Sequence, residues 1–260
     1  MDITIRNLEN TDELTEVRNL ETMIWTMDDP VPVNHMMAAI KSGGLVLGAF
    51  LNEKLIGFQY SFPGFDGKKS FLHSHNLGIH SDYRKLGIGM KLKYAQKEAA
   101  LKKGYDVIKW TYDPLETVNG NLNLHKLGAV CNTYIENAYG EMADQLNKGL
   151  PSDRFLVEWE ITKDKTQPAA ANYNPVLTVS RKNNYLVPEK LNYNENLEWL
   201  SLCVPANFQE LKKENLELAL LWRETTRKAF TYFFSKNYLA VDLIREQTDE
   251  TVCHYILKRS

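Results

Sequence analysis

The hexapeptide R-K-L-G-I-G at positions 84–89 constrains the fold of this chain more than any other feature of its sequence. It follows a β-rich apolar run at positions 71–79 and precedes apolar residues at helical spacing. A glycine-containing turn between a strand and a helix leaves the first N–H groups of the helix unpaired, and with the helix dipole they form an anion site. The two glycines let the backbone approach a ligand closely, and the adjacent arginine and lysine suit a pyrophosphate.

Two other phosphate-binding loops do not fit this stretch. The Rossmann fingerprint needs a third glycine three residues after the second, but position 92 is Leu92, and the preceding strands are predicted to be antiparallel. The nearest P-loop candidate, Gly64 to Ser70, has the wrong spacing. A tight turn without a ligand remains an alternative, and the position of this turn before a periodic helix favours the anion site.

Apolar periodicity and turn residues predict the elements of the first 162 residues. Asn10 to Glu13 offers helix-capping side chains, and Asn52 to Lys54 is a hairpin signal. Apolar residues from Ile88 to Ala99 recur at intervals of four, three and four, which predicts an amphipathic helix to about residue 103. The other predicted elements are a helix through 14–24, a short helix at 119–126, and strands at 2–7, 45–51, 55–62, 71–79, 107–112 and 155–161.

A smaller α/β unit is predicted near the carboxyl end. Residues 163–175 are polar, small and interrupted by proline, so we predict a first domain at 1–162, a linker at 163–175 and a second domain at 176–260. The second domain is predicted to contain a strand at 199–204, a helix at 216–234, and strands at 239–244 and 252–257. Lys102 to Tyr105 and Ser235 to Tyr238 both join a predicted helix to a strand, which indicates either a degenerate half-repeat or a chance match.

Charge and cysteine content limit the partners and the compartment. Thirty-one basic residues against 33 acidic ones give a net charge of -2, so we expect no nucleic-acid or membrane partner. Three cysteines without C-x-x-C spacing suggest neither a disulfide framework nor a zinc site, and they fit a reducing cytoplasm. The first residues lack a signal-peptide pattern, and the longest apolar run, 45–51, is far short of the roughly 20 residues that cross a bilayer. We expect a cytoplasmic protein.

The segment 80–92 resembles motif A of the GNAT N-acyltransferases. The stretches 110–115, 119–123, 125–129, 139–140 and 150–154 are similar to a poorly characterised bacterial branch of that superfamily, which carries the carboxyl-terminal extension as well. The resemblance covers about residues 2–162. It implies an α/β (α+β) fold with a mixed, mostly antiparallel, splayed sheet and flanking helices, while the second unit could be a degenerate half of the same fold.

The resemblance also implies a reaction. An acyl group, acetyl or longer, would pass from an acyl-coenzyme A co-substrate to an amine by direct attack in a ternary complex, without a metal. The acceptor would be a small amine or an amino acid, with protein amino groups as the alternative, and a homodimer is compatible with the sequence. The implied coenzyme A contacts are Asn76, Leu77, Gly78, Ile79, Arg84, Lys85, Leu86, Gly87, Ile88, Gly89, Met90, Asn119 and Asn121. Asn119 and Asn121 could instead cap the short helix.

Acyl transfer to an ammonium needs a base, and the departing thiolate needs an acid. His73 and His75 share one strand face beside the expected reaction centre, and we choose His75 as the base. The alternative is a buried histidine that is hydrogen-bonded to a neighbour. Many GNAT proteins have a tyrosine acid where this chain has Leu124, so Asp113, His125 or Tyr112 would have to replace it, and we choose Tyr112.

Three further hypotheses concern ligands. Arg154, next to Asp153, could clamp a substrate carboxylate, with a surface salt bridge as the alternative. The predicted helix carries lysines that we expect on its solvated face, of which Lys91 or Lys93 could approach the 3′-phosphate of coenzyme A. A non-catalytic module that binds coenzyme A or a nucleotide is the alternative function. A metal site is the least favoured alternative, and it would use His73, His75, His80 and His125.

Overall fold

The computed structural model describes residues 2–25, 30–140, 149–165 and 173–260. They form two compact units. Unit 1 contains the described residues up to Trp110 together with Glu160–Asp164, and unit 2 contains those of Thr111–Trp159 and from Lys165 onward. Part of the predicted linker, 166–172, lies outside the described residues, and the predicted domain division stays a prediction.

Unit 1 is a sheet with helices. The sheet has the order β1-β2-β3-β4-β5, in which β4 and β5 are parallel and the other neighbours are antiparallel. Apolar side chains of α1, α2 and the strands β2 and β3 form one core cluster. The elements are β1 (Thr4–Asn7), α1 (Thr11–Trp25), α2 (Val33–Lys41), β2 (Leu45–Leu51), β3 (Lys54–Phe65), β4 (Ser70–Ile79), a 3₁₀ turn (Ser81–Tyr83), α3 (Ile88–Lys102) and β5 (Val107–Tyr112), whose last two residues belong to unit 2.

The local signals in this unit act as predicted. The Asn10 side chain accepts a hydrogen bond from the Glu13 backbone N–H at 2.9 Å, so it caps α1. Asn52 and Glu53 join β2 to β3 with φ of 47° and 65°, the left-handed pair that a two-residue hairpin requires. The predicted fold class is confirmed, although α2 was not predicted.

Unit 2 is built on a second run of strands. Its sheet has the order β7-β6-β12-β13-β11-β8, and β9 and β10 form a separate hairpin. The elements are α4 (Thr117–Gly120), a π-helical turn (Asn121–Lys126), β6 (Val130–Ile135), β7 (Arg154–Glu160, whose last residue belongs to unit 1), β8 (Asn174–Pro175), β9 (Leu177–Lys182), β10 (Tyr185–Leu191), β11 (Trp199–Pro205), α5 (Phe208–Glu214), α6 (Leu216–Ser235), β12 (Tyr238–Arg245) and β13 (Val252–Arg259).

An aromatic cluster forms the core of unit 2. The ring of Phe155 lies 4.6 Å from that of Phe230 on α6 and 5.5 Å from that of Tyr255 on β13, in edge-to-face geometry. Because α6 and β13 both contribute apolar residues to this core, their apolar patterns could be recognised in the sequence. The short elements β6, β8, β9, β10 and α5 were not predicted.

The two junctions that look alike in sequence also look alike in conformation. α3 is followed by Gly104 with φ of 85°, and α6 by Asn237 with φ of 62°. Each left-handed residue ends its helix and is followed by a tyrosine, Tyr105 or Tyr238. This local match supports the half-repeat, which stays a prediction.

No helix in the described part of the chain is long and apolar enough to cross a membrane.

Candidate active site

The central strands of unit 1 part after a short contact. Among the described residues, β4 and β5 pair through Leu72 with Ile108 and through His73 with Lys109, and no further. From Ser74 onward, β4 stays paired with β3 along one edge, while its other edge has no paired strand among the described residues. Unpaired strand N–H and C=O groups are a template for hydrogen bonds to another extended chain. The predicted splay is therefore confirmed, and it begins at Ser74.

A β-bulge lies where the strands part. Tyr60 pairs with Asn76 and Ser61 pairs with Ser74, so His75 is the extra residue on β4. Bulges bend a strand and re-aim its side chains, and they are common beside active sites. The bulge directs the His75 side chain to an exposed position.

His73 and His75 face the same aromatic surface. The ring of Phe62 on β3 stacks on that of His73 at 4.8 Å and lies 5.6 Å from that of His75. Tyr60 lies 5.8 Å from the His75 ring, and its hydroxyl is 3.0 Å from Nδ1 of His35 on α2. The predicted common face of the two histidines is confirmed. Within the described residues neither imidazole makes a hydrogen bond, so the alternative of a buried, hydrogen-bonded histidine is wrong for His75.

Packing keeps these imidazoles neutral. Burial, with smaller contributions from His75 and Lys93, lowers the pKa of His73 to about 4. Although the His75 side chain reaches the surface, the aromatic rings around it partly desolvate the imidazole and lower its pKa, with a smaller contribution from His35. A neutral imidazole nitrogen can accept a proton, as a general base must.

The rest of β4 lies where predicted. The side-chain amide of Asn76 donates to Glu21 Oε1 at 2.5 Å, and Glu21 Oε2 also accepts from the Val31 N–H at 3.1 Å. Leu77 and Ile79 pair with β3 on either side of Gly78. A Cβ on Gly78 would lie 2.7 Å from the Phe58 ring, so only glycine fits there.

The turn before α3 has the form expected of an anion site. Lys85 and Gly87 are left-handed, with φ of 69° and 73°, and α3 begins directly afterwards at Ile88. A Cβ on Gly87 would meet nothing within 4 Å, so the backbone conformation, not space, demands glycine. The side chains of Arg84, Lys85, Leu86 and Met90 are exposed, Gly89 lies in the first turn, and Ile88 is buried.

The buried face of α3 is rotated about the helix axis relative to the face that the apolar spacing predicts. The buried residues are Ile88, Leu92, Lys93, Gln96 and Ala100, whereas Ala95 and Ala99 lie at its margin. Lys93 is 3% exposed, so its predicted place on the solvated face, and with it a contact to the 3′-phosphate, is wrong. Lys91 is exposed. The spacing of Lys93, Gln96 and Ala100 is itself helical and could have revealed this face.

Tyr112 lies in the core of unit 2. Its hydroxyl is 3.2 Å from that of Tyr255, which donates to the Pro114 carbonyl at 2.6 Å, and its ring packs edge-on against Phe155. Burial raises the pKa of Tyr112 well above its usual value. These contacts favour a structural role, and its catalytic role stays a prediction.

Neither Asn119 nor Asn121 is the N-cap of a helix. α4 begins at Thr117 after Glu116, so Asn119 lies inside it and Asn121 begins the π-helical turn. The capping hypothesis is wrong because the helix starts two residues earlier than predicted. Asn119 is exposed and Asn121 is partly exposed, and their contact with coenzyme A stays a prediction.

Arg154 belongs to a buried ionic cluster of unit 2. Asp153 is fully buried and accepts two hydrogen bonds of 2.8 Å from Arg227. Burial alone would raise the pKa of Asp153, but the hydrogen bonds from Arg227 and Tyr134 lower it. Arg154 is 7% exposed, and its guanidinium lies 3.9 Å from Asp113. The surface salt bridge is therefore wrong, and substrate binding by Arg154 stays a prediction.

Two of the four histidines proposed for a metal, His80 and His125, have polar partners in the protein. His80 Nδ1 accepts from the Asp82 N–H at 3.3 Å, and His125 Nδ1 lies 2.9 Å from Asp242. Throughout the part of the chain that the structure describes, no group of three or more His, Cys, Asp or Glu side chains could hold a metal ion.

A parallel pair that parts at a bulge, beside a helix opened by a glycine turn, is the arrangement that the resemblance to the GNAT fold implies. Residues 14–129 match the family model of the acetyltransferase (GNAT) family. This match supports a transferase. No curated protein sequence matches the chain.

Solved structures agree on the fold. One is a Salmonella typhimurium protein named as an acetyltransferase and solved with its cofactor acetyl-CoA, at 17% identity and TM-score 0.51 over 66% of this chain and 100% of that one. The ribosomal-protein-S18-alanine N-acetyltransferase of Escherichia coli gives 17% identity and TM-score 0.50 over 66% and 100%. A chain of the NatC complex bound to Gag peptide and CoA is 17% identical, with a TM-score of 0.50 over 62% of this chain and 99% of that one.

Proposed function

We propose that this protein binds an acyl-coenzyme A and transfers its acyl group to the amine of a small molecule. The observation that carries the proposal is the joint geometry of unit 1, in which the left-handed turn at Gly87 opens α3 and β4 parts from β5 at Ser74. The family match of residues 14–129 supports the same chemistry.

The turn supplies what a pyrophosphate requires. The N–H groups of the first turn of α3 have no partner within the helix, and the helix dipole adds partial positive charge. Arg84 and Lys85 are exposed beside them, and Lys91 follows on the next turn. We propose that this turn holds the pyrophosphate while the open edge of β4, from Asn76 to Ile79, bonds the pantetheine amides.

The bulge supplies the base. We propose that His75 takes a proton from the acceptor ammonium, so that the neutral nitrogen attacks the thioester carbonyl. Backbone N–H groups on the open edge of β4 polarise that carbonyl. The new C–N bond forms as the C–S bond breaks, and the sulfur leaves with the electron pair.

The surface beside His75 favours a cationic acceptor. The half-buried ring of Phe62 lies 5.6 Å from that of His75, and the buried ring of Tyr60 lies 6.1 Å from Phe62 at an angle of 52°. Aromatic faces attract ammonium groups, whereas neutral imidazoles do not repel them. We therefore propose a small primary amine as the acceptor.

A cytoplasmic location is part of the proposal. Cys131, Cys203 and Cys253 are all free and buried. Unpaired cysteines are typical of proteins that work in a reducing compartment.

Titration calorimetry with acetyl-, succinyl- and free coenzyme A tests the binding step. We expect micromolar binding to the parent and at least a tenfold loss in Gly87→Val, because valine cannot keep the left-handed backbone that opens α3. Gly67→Val is the matched control, since Gly67 also has positive φ, 89°, and open space around it, but lies in the β3–β4 turn.

Equal losses in the two variants would point to general strain. Absence of binding to all three ligands would overturn the proposed function. A preference for one acyl chain would select the donor for a screen of amine acceptors.

A further inference from the structure

Lys93 is a buried cation at the point where the two central strands part. It projects from α3 toward the sheet, and its Nζ lies 2.9 Å from Ser74 Oγ and 3.5 Å from the centre of the Trp110 ring. Ser74 and Trp110 are the residues that directly follow the last β4–β5 pair, His73 with Lys109. Lys93 therefore bridges the two strands at the apex of the splay.

A lysine in this position is costly for the fold. It is 3% exposed, and no carboxylate pairs with it in the described part of the chain. Burying an ammonium without an opposite charge costs several kcal/mol, and an apolar side chain of similar volume would often stabilise the protein instead. Strongly desolvated ionisable groups of this kind concentrate at functional sites.

Ser74 links Lys93 to the open side of β4. Its Oγ accepts from Lys93 Nζ at 2.9 Å and from Gln59 Nε2 at 3.2 Å. Both contacts use the oxygen as acceptor, so the hydroxyl hydrogen of Ser74 is left to donate elsewhere. Ser74 also adjoins the bulge residue His75, beside which the thioester is proposed to lie.

The polar layer around this pair is not fully satisfied. Gln59 and Gln96 both bond Ser61 Oγ at 2.7 Å, yet their own side-chain oxygens are buried without a partner. Such a layer is more polar than packing alone requires. It fits a site in which a proton donor has to be held beneath the sheet.

We propose that Lys93, acting through the hydroxyl of Ser74, protonates the thiolate that leaves coenzyme A. This inference rests on the proposed function and supplies the acid that Leu124, where many family members have tyrosine, cannot provide. As the C–S bond breaks, the sulfur receives the Ser74 Oγ hydrogen, and Ser74 Oγ receives a proton from Lys93 Nζ. The acceptor nitrogen gives its first proton to His75 and, as the amide forms, its second proton to water. Lys93 ends neutral and His75 ends protonated, and both return to their starting states by exchange with water.

The acidity of Lys93 suits this task. Burial lowers the pKa of the Lys93 ammonium well below its usual value, so this group gives up a proton more readily than an exposed lysine does. His73 on β4 is the ionisable group whose charge interacts with that of Lys93.

The pKa of the coenzyme A thiol, measured by thiolate absorbance in the complex with the protein, tests the proposal without turnover. An ammonium linked to the sulfur through one hydroxyl stabilises the thiolate, so the thiol pKa should be about one unit lower in the parent than in Lys93→Met, a tenfold change in its ionisation constant. Lys102→Met, an exposed position on the same helix, should match the parent.

Ser74→Ala keeps the charge and removes the link. It should show the same loss as Lys93→Met, and the double variant should lose nothing more, because one relay contains both groups. Coenzyme A should still bind to each variant by calorimetry. Normal binding with the same thiol pKa in the parent, Lys93→Met and Ser74→Ala would overturn the inference alone, whereas no binding to the parent would overturn it together with the proposed function.

Discussion

His73 and His75 stand on the same face of β4, but the bulge gives them different surroundings. His73 is stacked on Phe62, whereas His75 reaches an exposed position beside Tyr60 and Phe62. A proton acceptor needs access to the acceptor amine, so the exposed ring is the better base. The sequence alone offers His73 and His75 as candidates for the base, and the β-bulge at His75 distinguishes between them.

Replacing His75 by glutamine should abolish the acid limb of the pH–rate profile. The pKa of His75 in the folded protein is lowered below 6.5. The neutral, active form of the imidazole predominates above this lowered pKa, and the rate should fall as the pH drops through the lowered pKa. We expect kcat to fall by about 100-fold or more in His75→Gln. Steady-state rates between pH 5 and 8 with an acceptor from the amine screen would measure both effects.

His73→Gln is the matched control for this experiment. It lies two residues away on the same strand face and should keep the acid limb. If His73→Gln loses the limb while His75→Gln keeps it, the base has been assigned to the wrong ring.

At the scale of elements, α6 is tied to the first loop of unit 2 by a buried ion pair. Arg223 is 1% exposed and bonds both carboxylate oxygens of Asp113, at 2.8 and 2.5 Å. One turn later, Arg227 holds Asp153 in the same bidentate way. Breaking such a pair leaves a buried charge without a partner.

Arg223→Met should destabilise unit 2 by about 3–5 kcal/mol, because the largely buried Asp113 carboxylate loses its bidentate partner and keeps only Arg154, 3.9 Å away. The double change Arg223→Met with Asp113→Leu should recover much of that loss. Lys228→Met, on the exposed face of the same helix, should have little effect. Urea unfolding of the parent, Arg223→Met, Asp113→Leu and the double variant gives the coupling energy, and additive losses would contradict a strong pair.

Elements with one dominant signal could be predicted from the sequence. The hairpin at Asn52 and Glu53, the strand 107–112 and the helix α6 each combine regular spacing with turn residues at their ends. α2 was missed although Val33, Met36 and Ile40 are spaced as on one helical face. The short strands β6 and β8 are specified by pairing with distant segments, which local pattern does not reveal.

The site was partly predictable for the same reason. The glycine turn and the two histidines each lie within a short stretch of sequence, so their chemistry could be inferred directly. The bulge at His75 depends on the register with β3, and the burial of Lys93 depends on a rotation of α3 by about one residue. Only the packed structure decides such offsets.

On the scale of the whole molecule, the two units are not consecutive pieces of chain. Unit 2 contains residues 111–159 and those from 165 onward, so its sheet is assembled from both. β6 pairs with β12 through Cys131 and Ala240, and Phe155 packs on Phe230 and Tyr255. Residues 111–159 need the carboxyl-terminal part to complete their core.

A fragment ending at residue 165 should therefore fail to fold over 111–159. It loses the partners of Asp113 and Asp153, and the aromatic core around Phe155 is exposed to water. Hydrogen exchange followed by mass spectrometry should show fast exchange of β6 and β7 in the fragment.

Residues 166–260 supplied as a separate chain by co-expression are the control, and they should restore slow exchange. A fragment that protects β6 and β7 as well as the full chain does would contradict this view and support a domain that ends near residue 162.

The ion pair between Asp113 and Arg223 can form only late during translation of the chain. The two residues are 110 positions apart, so at about 5–20 residues per second the ribosome needs about 5–20 s to add the second after the first. During that interval the middle of the nascent chain carries uncovered aromatic rings, and exposed hydrophobic surface of this kind is what chaperones bind. Slowed translation between these two codons should therefore lengthen chaperone occupancy and lower the soluble yield.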